Sequence, residues 1–268
     1  DANTNVDLDQ VVFVDMPGTS QAQVTAAGGN SLIVLQGENG TFGQTILEAD
    51  QSVVGGTQGI LVEGRTTGVQ DTYLAPGAAA SIHVLAEADA VRVANNSHVT
   101  GLTISSDGSA ATDGIHIPNT VTNVYIDNNV LQNLGGRGLE VDANAQFTFT
   151  NNRLTDQGVF SAFDMGTNVT AVITDNIFSN ITRTTLEVRA NSTLTYTGND
   201  HQGTAATGGG SVFRFGGGAG ATNVLDGSGN LNNLTNAPTV CQTNGAASFT
   251  GTIDFGGVAL TDNVLPCN

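Results

Sequence analysis

Short runs of alternating apolar and polar residues recur along the chain, and each run leads into a turn rich in Asn. The stretches GIHIPNTVTNVYIDNNVLQN (114–133) and GLEVDANAQFTFTNNRLTD (138–156) share this pattern. AFDMGTNVTAVITDNIFSN (162–180) and LEVRANSTLTYTGNDHQG (186–203) repeat it. The match is one of pattern and not of identity. Self-similarity at a fixed period is the signature of a repeat architecture.

Two columns of Asn give the period. Leu102 lies 27 residues before Asn129 and takes the same place one unit earlier. Asn suits such places because it tolerates a left-handed backbone, and because stacked amides can hydrogen-bond from unit to unit. The first column closes each unit, with spacings of 23, 24, 23 and 31, at Asn129, Asn152, Asn176, Asn199 and Asn230. The second, with spacings of 23, 25, 24 and 23, is Asn96, Asn119, Asn144, Asn168 and Asn191.

The alternation predicts three short strands in each unit. In the first strand an apolar pair flanks a polar residue, as Ile115 and Ile117 flank His116. A unit of this length cannot cover its own apolar face, and does so only by stacking on copies of itself. The sequence therefore predicts an all-β fold: a right-handed parallel β-helix, or solenoid, with about 23–31 residues per coil and three parallel sheets.

The whole chain, residues 1–268, is expected to form one domain. Residues 46–235 are predicted to form the coils. Segments 1–45 and 236–268 fall outside the clean repeat, and we expect them to cap the open strand edges at the two ends.

The units between residues 85 and 232 resemble the pectate-lyase-like superfamily of right-handed β-helices. The earlier stretch TILEADQSVVGG (45–56) and the segments after it resemble the opening coils of bacterial autotransporter passengers and related surface β-helix proteins. The resemblance implies the architecture. It implies no particular function, because one fold hosts many activities.

The two ends carry features of their own. Val11, Val12, Phe13 and Val14 are apolar enough to form a strand that caps the first coil. The alternative is that they add to the sheet edge of a neighbouring molecule and so mediate self-association. Cys241 and Cys267 are expected to form a disulfide that closes a loop of 267 − 241 + 1 = 27 residues. The alternative is two free cysteines in the core.

Composition narrows the range of partners. The formal charge is −17, and the seven basic residues are all Arg. Nucleic acid and anionic membrane surfaces need a positive footprint, so both are disfavoured as partners. No apolar run approaches the roughly 20 residues that span a bilayer. A chain of this composition beginning at Asp1 is expected to be a mature secreted or cell-surface product after removal of its signal peptide.

One column of polar residues carries candidate chemistry. It comprises the middle residues of the first strands: Arg92, His116, Glu140, Asp164, Glu187 and Arg214. Carboxyl groups one or two coils apart match the separations that glycosidases use. We expect no cofactor and no metal site: stacked carboxyl groups could attract a cation such as Ca²⁺, but the four histidines lack metal-ligand spacing. The ordinary alternative is a solvated strand face, which must be polar in any case.

Signatures of known β-helix enzymes are missing. TDGIHI (112–117) offers Asp113 and His116 without the neighbours that polygalacturonases require, and the acidic chain is expected to repel acidic polysaccharides. These observations favour a non-enzymatic surface protein. It would be adhesin-like, or would assemble into a filament or layer, with copies of itself or cell-surface glycans and proteins as partners. The alternatives are a polysaccharide-active enzyme using Glu140, Asp164, Glu187 and His116, and a glycan-binding module of the tail-spike kind.

Overall fold

The computed structural model covers most of the 268-residue chain. It describes residues 10–14, 20–36, 41–56, 59–63, 70–74, 77–85, 88–108, 112–156, 160–203, 212–216, 222–235, 240–242, 248–256, 258–260 and 265–266. Within these ranges the secondary structure is nearly all strand, with one helix.

The elements follow one another in short steps. The helix is α1 (Ser20–Ala27). The strands are β1 (Gln10–Val14), β2 (Ser31–Leu35), β3 (Thr41–Phe42), β4 (Thr45–Ile46), β5 (Ser52–Gly55), β6 (Ile60–Glu63), β7 (Gln70–Leu74), β8 (Ala80–Val84), β9 (Val91–Arg92), β10 (His98–Thr100), β11 (Leu102–Ser106), β12 (Ile115–Ile117), β13 (Val124–Asp127), β14 (Val130–Gln132), β15 (Leu139–Val141), β16 (Gln146–Thr150), β17 (Arg153–Thr155), β18 (Phe163–Met165), β19 (Thr170–Thr174), β20 (Ile177–Ser179), β21 (Leu186–Val188), β22 (Thr193–Thr197), β23 (Asp200–Gly203), β24 (Phe213–Phe215), β25 (Thr222–Leu234), β26 (Val240–Gln242), β27 (Ser248–Phe255), β28 (Val258–Leu260) and β29 (Leu265–Pro266).

Three parallel sheets run the length of a right-handed solenoid, as predicted. Sheet A contains β1, β2, β5, β10, β13, β16, β19, β22, β25 and β27. Sheet B contains β3, β8, β11, β14, β17, β20, β23 and the second half of β25. Sheet C contains β4, β9, β12, β15, β18, β21, β24, β26 and β29.

Coil length matches the prediction over most of the chain. From β10 to β25, equivalent residues of sheet A lie 23 to 31 positions apart. The coil between β5 and β10 is longer, because His98 pairs with Ser52, an offset of 98 − 52 = 46. That coil contains the antiparallel pair β6 and β7.

The interior is an apolar column with a strong aromatic component. The ring centroids of Phe149 and Phe163 lie 5.0 Å apart, and those of Phe163 and Phe178 lie 5.7 Å apart. Further along, Tyr196 Oη and His201 Nε2 are hydrogen-bonded at 2.7 Å, and both residues are fully buried. The polar pair is satisfied by this bond, as a buried polar group must be.

The first Asn column forms a buried ladder at the turn between sheets A and B. The main-chain nitrogen of Asn129 donates to Asn152 Oδ1 at 2.9 Å, and that of Asn152 donates to Asn176 Oδ1 at 2.8 Å. The same bonds continue through Asn199 to Asn230. Leu102 begins the ladder by donating its main-chain N–H to Asn129 Oδ1 at 3.0 Å.

The second Asn column departs from the prediction at one coil. Left-handed backbone occurs at Asn96, Asn144, Asn168 and Asn191, whereas Thr120 takes it in place of Asn119. The amide of Asn144 still donates to Asn119 Oδ1 at 3.2 Å. The turn before β13 is longer than its neighbours, and this moves the left-handed residue one position along the chain.

The sheets begin earlier than residue 46. Strand β1 pairs in parallel with β2 of its own chain, with Phe13 opposite Val34. Val12 and Val14 pack into the core on one face, and Val11 and Phe13 pack on the other. Pairing of this segment with a second molecule stays a prediction.

Helix α1 lies beside β4, the first strand of sheet C. The side chain of Gln21 donates to the main-chain oxygen of Ile46 at 3.1 Å and accepts from its nitrogen at 2.7 Å. One amide group thereby satisfies the main chain of an edge strand, which is a means of covering an exposed edge.

The C-terminal end continues sheet C through β26 and β29, beyond the predicted boundary at 235. Strand β28 pairs antiparallel with β27 and so turns the chain back at the end of sheet A. Cys267 and the side chain of Cys241 lie outside the described residues, so the disulfide stays a prediction. No helix in the described part of the chain is long and apolar enough to span a membrane.

Candidate functional site

Six residues predicted to stack do so on the outer face of sheet C. Main-chain pairing places Arg92 opposite His116, His116 opposite Glu140, and Glu140 opposite Asp164. Pairing continues from Asp164 to Glu187 and from Glu187 to Arg214. We call these six residues the charged row. Its members lie on successive coils about 4.8 Å apart.

The charged row is not an ordinary solvated face. Asp164 is only 9% exposed, and Asp113, which lies beside the row one coil before Glu140, is 6% exposed. Carboxyl groups this sheltered require charged or hydrogen-bonding partners, because burial of an unpaired charge is strongly unfavourable. The partners come from both flanks of the row.

Arg137 binds three of these carboxyl groups. Its Nε donates to Asp164 Oδ2 at 3.0 Å, and its Nη1 lies 3.3 Å from Glu140 Oε1 and 3.5 Å from Asp113 Oδ2. The guanidinium carbon lies 5.3 Å from the ring centroid of Phe160, over the ring. One arginine thereby joins acids on three successive coils.

The surroundings of Glu140 raise its affinity for a proton. Burial, followed by a hydrogen bond with Asp113 and the charge of Asp113, raises the pKa of Glu140 to about 7, against the opposing charges of Arg137 and His116. Burial disfavours the charged form of a carboxyl group, and a neighbouring carboxylate adds to the effect. At neutral pH a large fraction of Glu140 side chains therefore carry a proton.

His116 is held between two carboxylates. Its Nδ1 lies 2.9 Å from Asp89 Oδ2, and its Nε2 lies 3.2 Å from Asp142 Oδ2. The hydrogen bond with Asp89 is the largest cause of a pKa for His116 above its ordinary value, although burial opposes it. The imidazolium form is thus favoured at this position.

The far end of the row is more open. Glu187 Oε2 accepts a hydrogen bond from Ser161 Oγ at 3.0 Å and lies 3.6 Å from Arg214 Nη1. Arg189, half exposed, approaches both oxygens of Asp164 at 3.4 Å. Asp164 is therefore paired with two arginines, whereas Glu187 is paired with the partly exposed Arg214.

The structure adds flanking residues beyond Glu140, Asp164, Glu187 and His116, the catalytic set considered from the sequence. Asp89, Asp113 and Arg137 each lie three positions before a member of the row, and this shared offset was the available signal. Asp142 and Arg189 each lie two positions after one. Reading the row together with these two offsets recovers the flanking columns.

A metal ion is the remaining chemical possibility for this cluster. Asp89, His116 and Glu140 can each offer one ligand atom, all within 4.8 Å of one another. Both imidazole nitrogens of His116 are already hydrogen-bonded to carboxylates, however. The contacts are those of a charged side-chain network, and we assign no metal ligands here.

Comparison with known proteins identifies the architecture. A family model described as "Right handed beta helix region" matches residues 59–231. No curated protein matches the sequence.

Two solved structures are similar to this chain at 15% sequence identity. One is a tailspike protein, gp49 from Acinetobacter baumannii bacteriophage Fri1, described as a capsular polysaccharide depolymerase, with a TM-score of 0.33. The alignment covers 97% of this chain and 63% of the tailspike, so this chain spans less than two thirds of that protein. The other is an alginate lyase from Paenibacillus sp. str. FPU-7, with a TM-score of 0.39 and coverage of 91% and 99%.

Proposed function

The chain belongs to the family of right-handed β-helix regions, and we propose that its charged row is the active centre of a glycoside hydrolase acting on polysaccharides. The fold by itself supports no activity. The proposal rests on the site.

The arrangement of Glu140 and Asp164 carries the proposal. They are register partners on adjacent coils, and Arg137 contacts both. The pKa of Glu140 is raised to about 7, so a large fraction of its side chains carry a proton at neutral pH, whereas Asp164 lies against two arginines, Arg137 and Arg189. Glycoside hydrolysis needs such a pair: one protonated carboxyl group and one carboxylate.

Each residue has a definite role in this mechanism. Glu140 gives its proton to the glycosidic oxygen as the bond from that oxygen to the anomeric carbon breaks. Asp164 forms a bond to the anomeric carbon, and water then releases the sugar with Glu140 accepting the proton. A separation of one coil, about 4.8 Å, is near the roughly 5 Å of retaining pairs. We expect retention of the anomeric configuration.

The chemistry of the substrate is less restricted than the net charge suggests. Four of the seven arginines, Arg92, Arg137, Arg189 and Arg214, belong to the charged row or contact it. The expectation that an acidic chain repels acidic polysaccharides therefore does not extend to this face. Neutral and acidic glycans both belong in the test.

The sequence alone favoured a non-enzymatic surface or filament-forming protein. That interpretation rested partly on treating the row as a solvated strand face, and the shelter of Asp164 and the contacts of Arg137 argue against that part. Self-association through the solenoid ends stays a separate prediction. Turnover of a glycan would support the hydrolase, whereas binding without turnover would support the glycan-binding alternative.

The decisive experiment incubates the protein with a panel of neutral and acidic polysaccharides and measures the reducing ends that are released. The native protein is expected to cleave at least one of them. Glu140→Gln and Asp164→Asn should each lower kcat by about 100-fold or more, because general acid catalysis alone contributes 10²–10⁴-fold. Asp226→Asn, an exposed carboxylate on sheet A, is the matched control and should retain activity.

The products give an independent reading of the pair. Retention at the anomeric centre identifies Asp164 as the partner of Glu140, whereas inversion would implicate Glu187, two coils away. Binding without cleavage of any panel member would overturn the hydrolase and support the glycan-binding module.

A further inference from the structure

The loop that carries Arg137 is built largely of glycine. It reads GGRG (135–138) and joins β14 to β15. The nitrogen of Gly136 donates to the main-chain oxygen of Thr112 on the previous coil at 2.9 Å. A Cβ atom on Gly136 would collide with that oxygen and with Asp113 Oδ1. Glycine is therefore required for the loop to lie this close to the previous coil.

Arg137 is bound to Asp113 twice. Its main-chain nitrogen donates to Asp113 Oδ1, and its guanidinium lies 3.5 Å from the second oxygen, Oδ2. The remaining guanidinium contacts, to Glu140 and Asp164, complete a span of three coils. By comparison, Arg189 pairs with Asp164, and Arg214 pairs with Glu187.

We infer that Arg137, presented by the GGRG loop, is the positioning residue of the charged row: it fixes Asp113 and Asp164 on either side of Glu140. The inference rests on the proposed function, since it assigns a role within that same site. Arg137 acts through the carboxyl groups that it holds, and it is not itself a catalytic residue.

The shape of the side chain matters as much as its charge. The planar guanidinium presents several N–H groups in a fixed fork, and Arg137 uses Nε toward Asp164 and Nη1 toward Glu140 and Asp113. A Lys ammonium is a compact charge on a flexible stem and lacks this fork. Lys at position 137 would restore charge without restoring the three-coil geometry.

Two substitutions separate charge from geometry. Arg137→Met removes the charge that opposes the raised pKa of Glu140, so the titration midpoint of Glu140 should rise, by roughly one pH unit. In the same variant kcat should fall about 100-fold with KM nearly unchanged, because misplaced catalytic groups cost about that much. Arg137→Lys should return the midpoint toward the native value while kcat stays low.

The control is Arg153→Met, which removes one exposed arginine from sheet B. It should leave both the Glu140 midpoint and kcat as in the native protein. The midpoint is followed by carbon-13 NMR of the Glu140 carboxyl group, which needs no turnover. Gly136→Ala is a second variant that displaces the loop without altering any charge, and it should lower kcat.

The outcomes are distinct. Native kcat or a native midpoint in Arg137→Met would overturn the inference, as would full activity in Arg137→Lys or in Gly136→Ala. If Arg137→Met shifts the Glu140 midpoint and yet the protein cleaves no glycan, that result would support the contact of Arg137 with Glu140 and overturn the proposed hydrolase. If the native protein cleaves a glycan and the Arg137 variants keep the native kcat and Glu140 midpoint, the proposed hydrolase would be supported and the role of Arg137 overturned.

Discussion

Two columns of stacked polar side chains run along the same solenoid, and they differ in every other respect. The Asn ladder lies inside, at the turn between sheets A and B, and repeats one residue with the same bonds on each coil. The charged row lies outside sheet C, and its residue types change along the axis. Its bonds also run sideways, to the flanking columns.

This difference distinguishes residues that maintain the fold from residues that form the candidate site. A coil needs the same interaction at each step, so a column that maintains the coil can use one residue type throughout. The charged row maintains its main-chain register while its chemistry varies, so its side chains are not required for coiling. Their contacts instead gather acids and arginines at the level of Glu140. The predictions below test this division.

The ladder should give the largest loss of stability. In Asn152→Leu, the main-chain nitrogen of Asn129 and the main-chain oxygen of Ile126 lose the buried partner that Asn152 provides, whereas the oxygen of Thr150 still accepts from the main-chain nitrogen of Asn128. At about 1–3 kcal/mol for each unsatisfied group, the free energy of unfolding should fall by about 4 kcal/mol. Urea denaturation measures it. Gln132→Leu, on the outer face of sheet B, is the control and should change it by less than about 1 kcal/mol.

Acid should weaken the interior through His201. Burial lowers the pKa of His201 to about 3, below the unfolded value near 6.5. Its contribution to stability is therefore present above pH 6.5 and is lost as the pH falls toward 3, at up to about 1.4 kcal/mol per pH unit. His201→Phe should flatten this part of the stability profile. A slope identical to that of the native protein would contradict the assignment.

The site should show the opposite pH dependence. The folded pKa of Glu140, about 7, lies above its ordinary value of 4.5. Stability from the protonated form is thus complete below pH 4.5 and is lost as the pH rises through 7. At pH 8, Glu140→Gln should raise the free energy of unfolding by about 1 kcal/mol, a modest value because solvent screens this half-buried group. At pH 4 the substitution should have little effect. Thermal unfolding at the two pH values measures it.

The open end of the row should contribute least. Glu187 pairs with the partly exposed Arg214 at 3.6 Å, and ion pairs accessible to solvent contribute about 0–1 kcal/mol. Glu187→Gln should therefore change the free energy of unfolding by less than about 0.5 kcal/mol in chemical denaturation. A loss comparable to that of Asn152→Leu would mean that the charged row, like the ladder, maintains the coil.

The fold was largely predictable because two periods are visible in the sequence. Alternation at period 2 defines the strands, and the spacing of Asn defines the coil, so even Leu102 could be placed in the ladder. The charged row followed from the same spacing, and main-chain pairing confirms its order. Neither period depends on long-range contacts.

Other features depend on contacts between coils that no spacing reveals. The first coils lack the Asn columns, so β1 and β2 were assigned to a cap although they continue sheet A. Thr120 took the left-handed position expected of Asn119 because the turn there is longer. The contacts of Arg137 depend on the GGRG loop approaching the previous coil, which glycine permits but does not by itself predict.

The account rests on Glu140 holding a proton between the acids that Arg137 binds. Carbon-13 NMR of the Glu140 carboxyl group in the native protein, titrated from pH 3 to 9, tests this directly. We expect a midpoint near 7. A midpoint near 4.5, the ordinary value for a glutamate, would show that the charged row is a solvated acidic face and would contradict the proposed active centre.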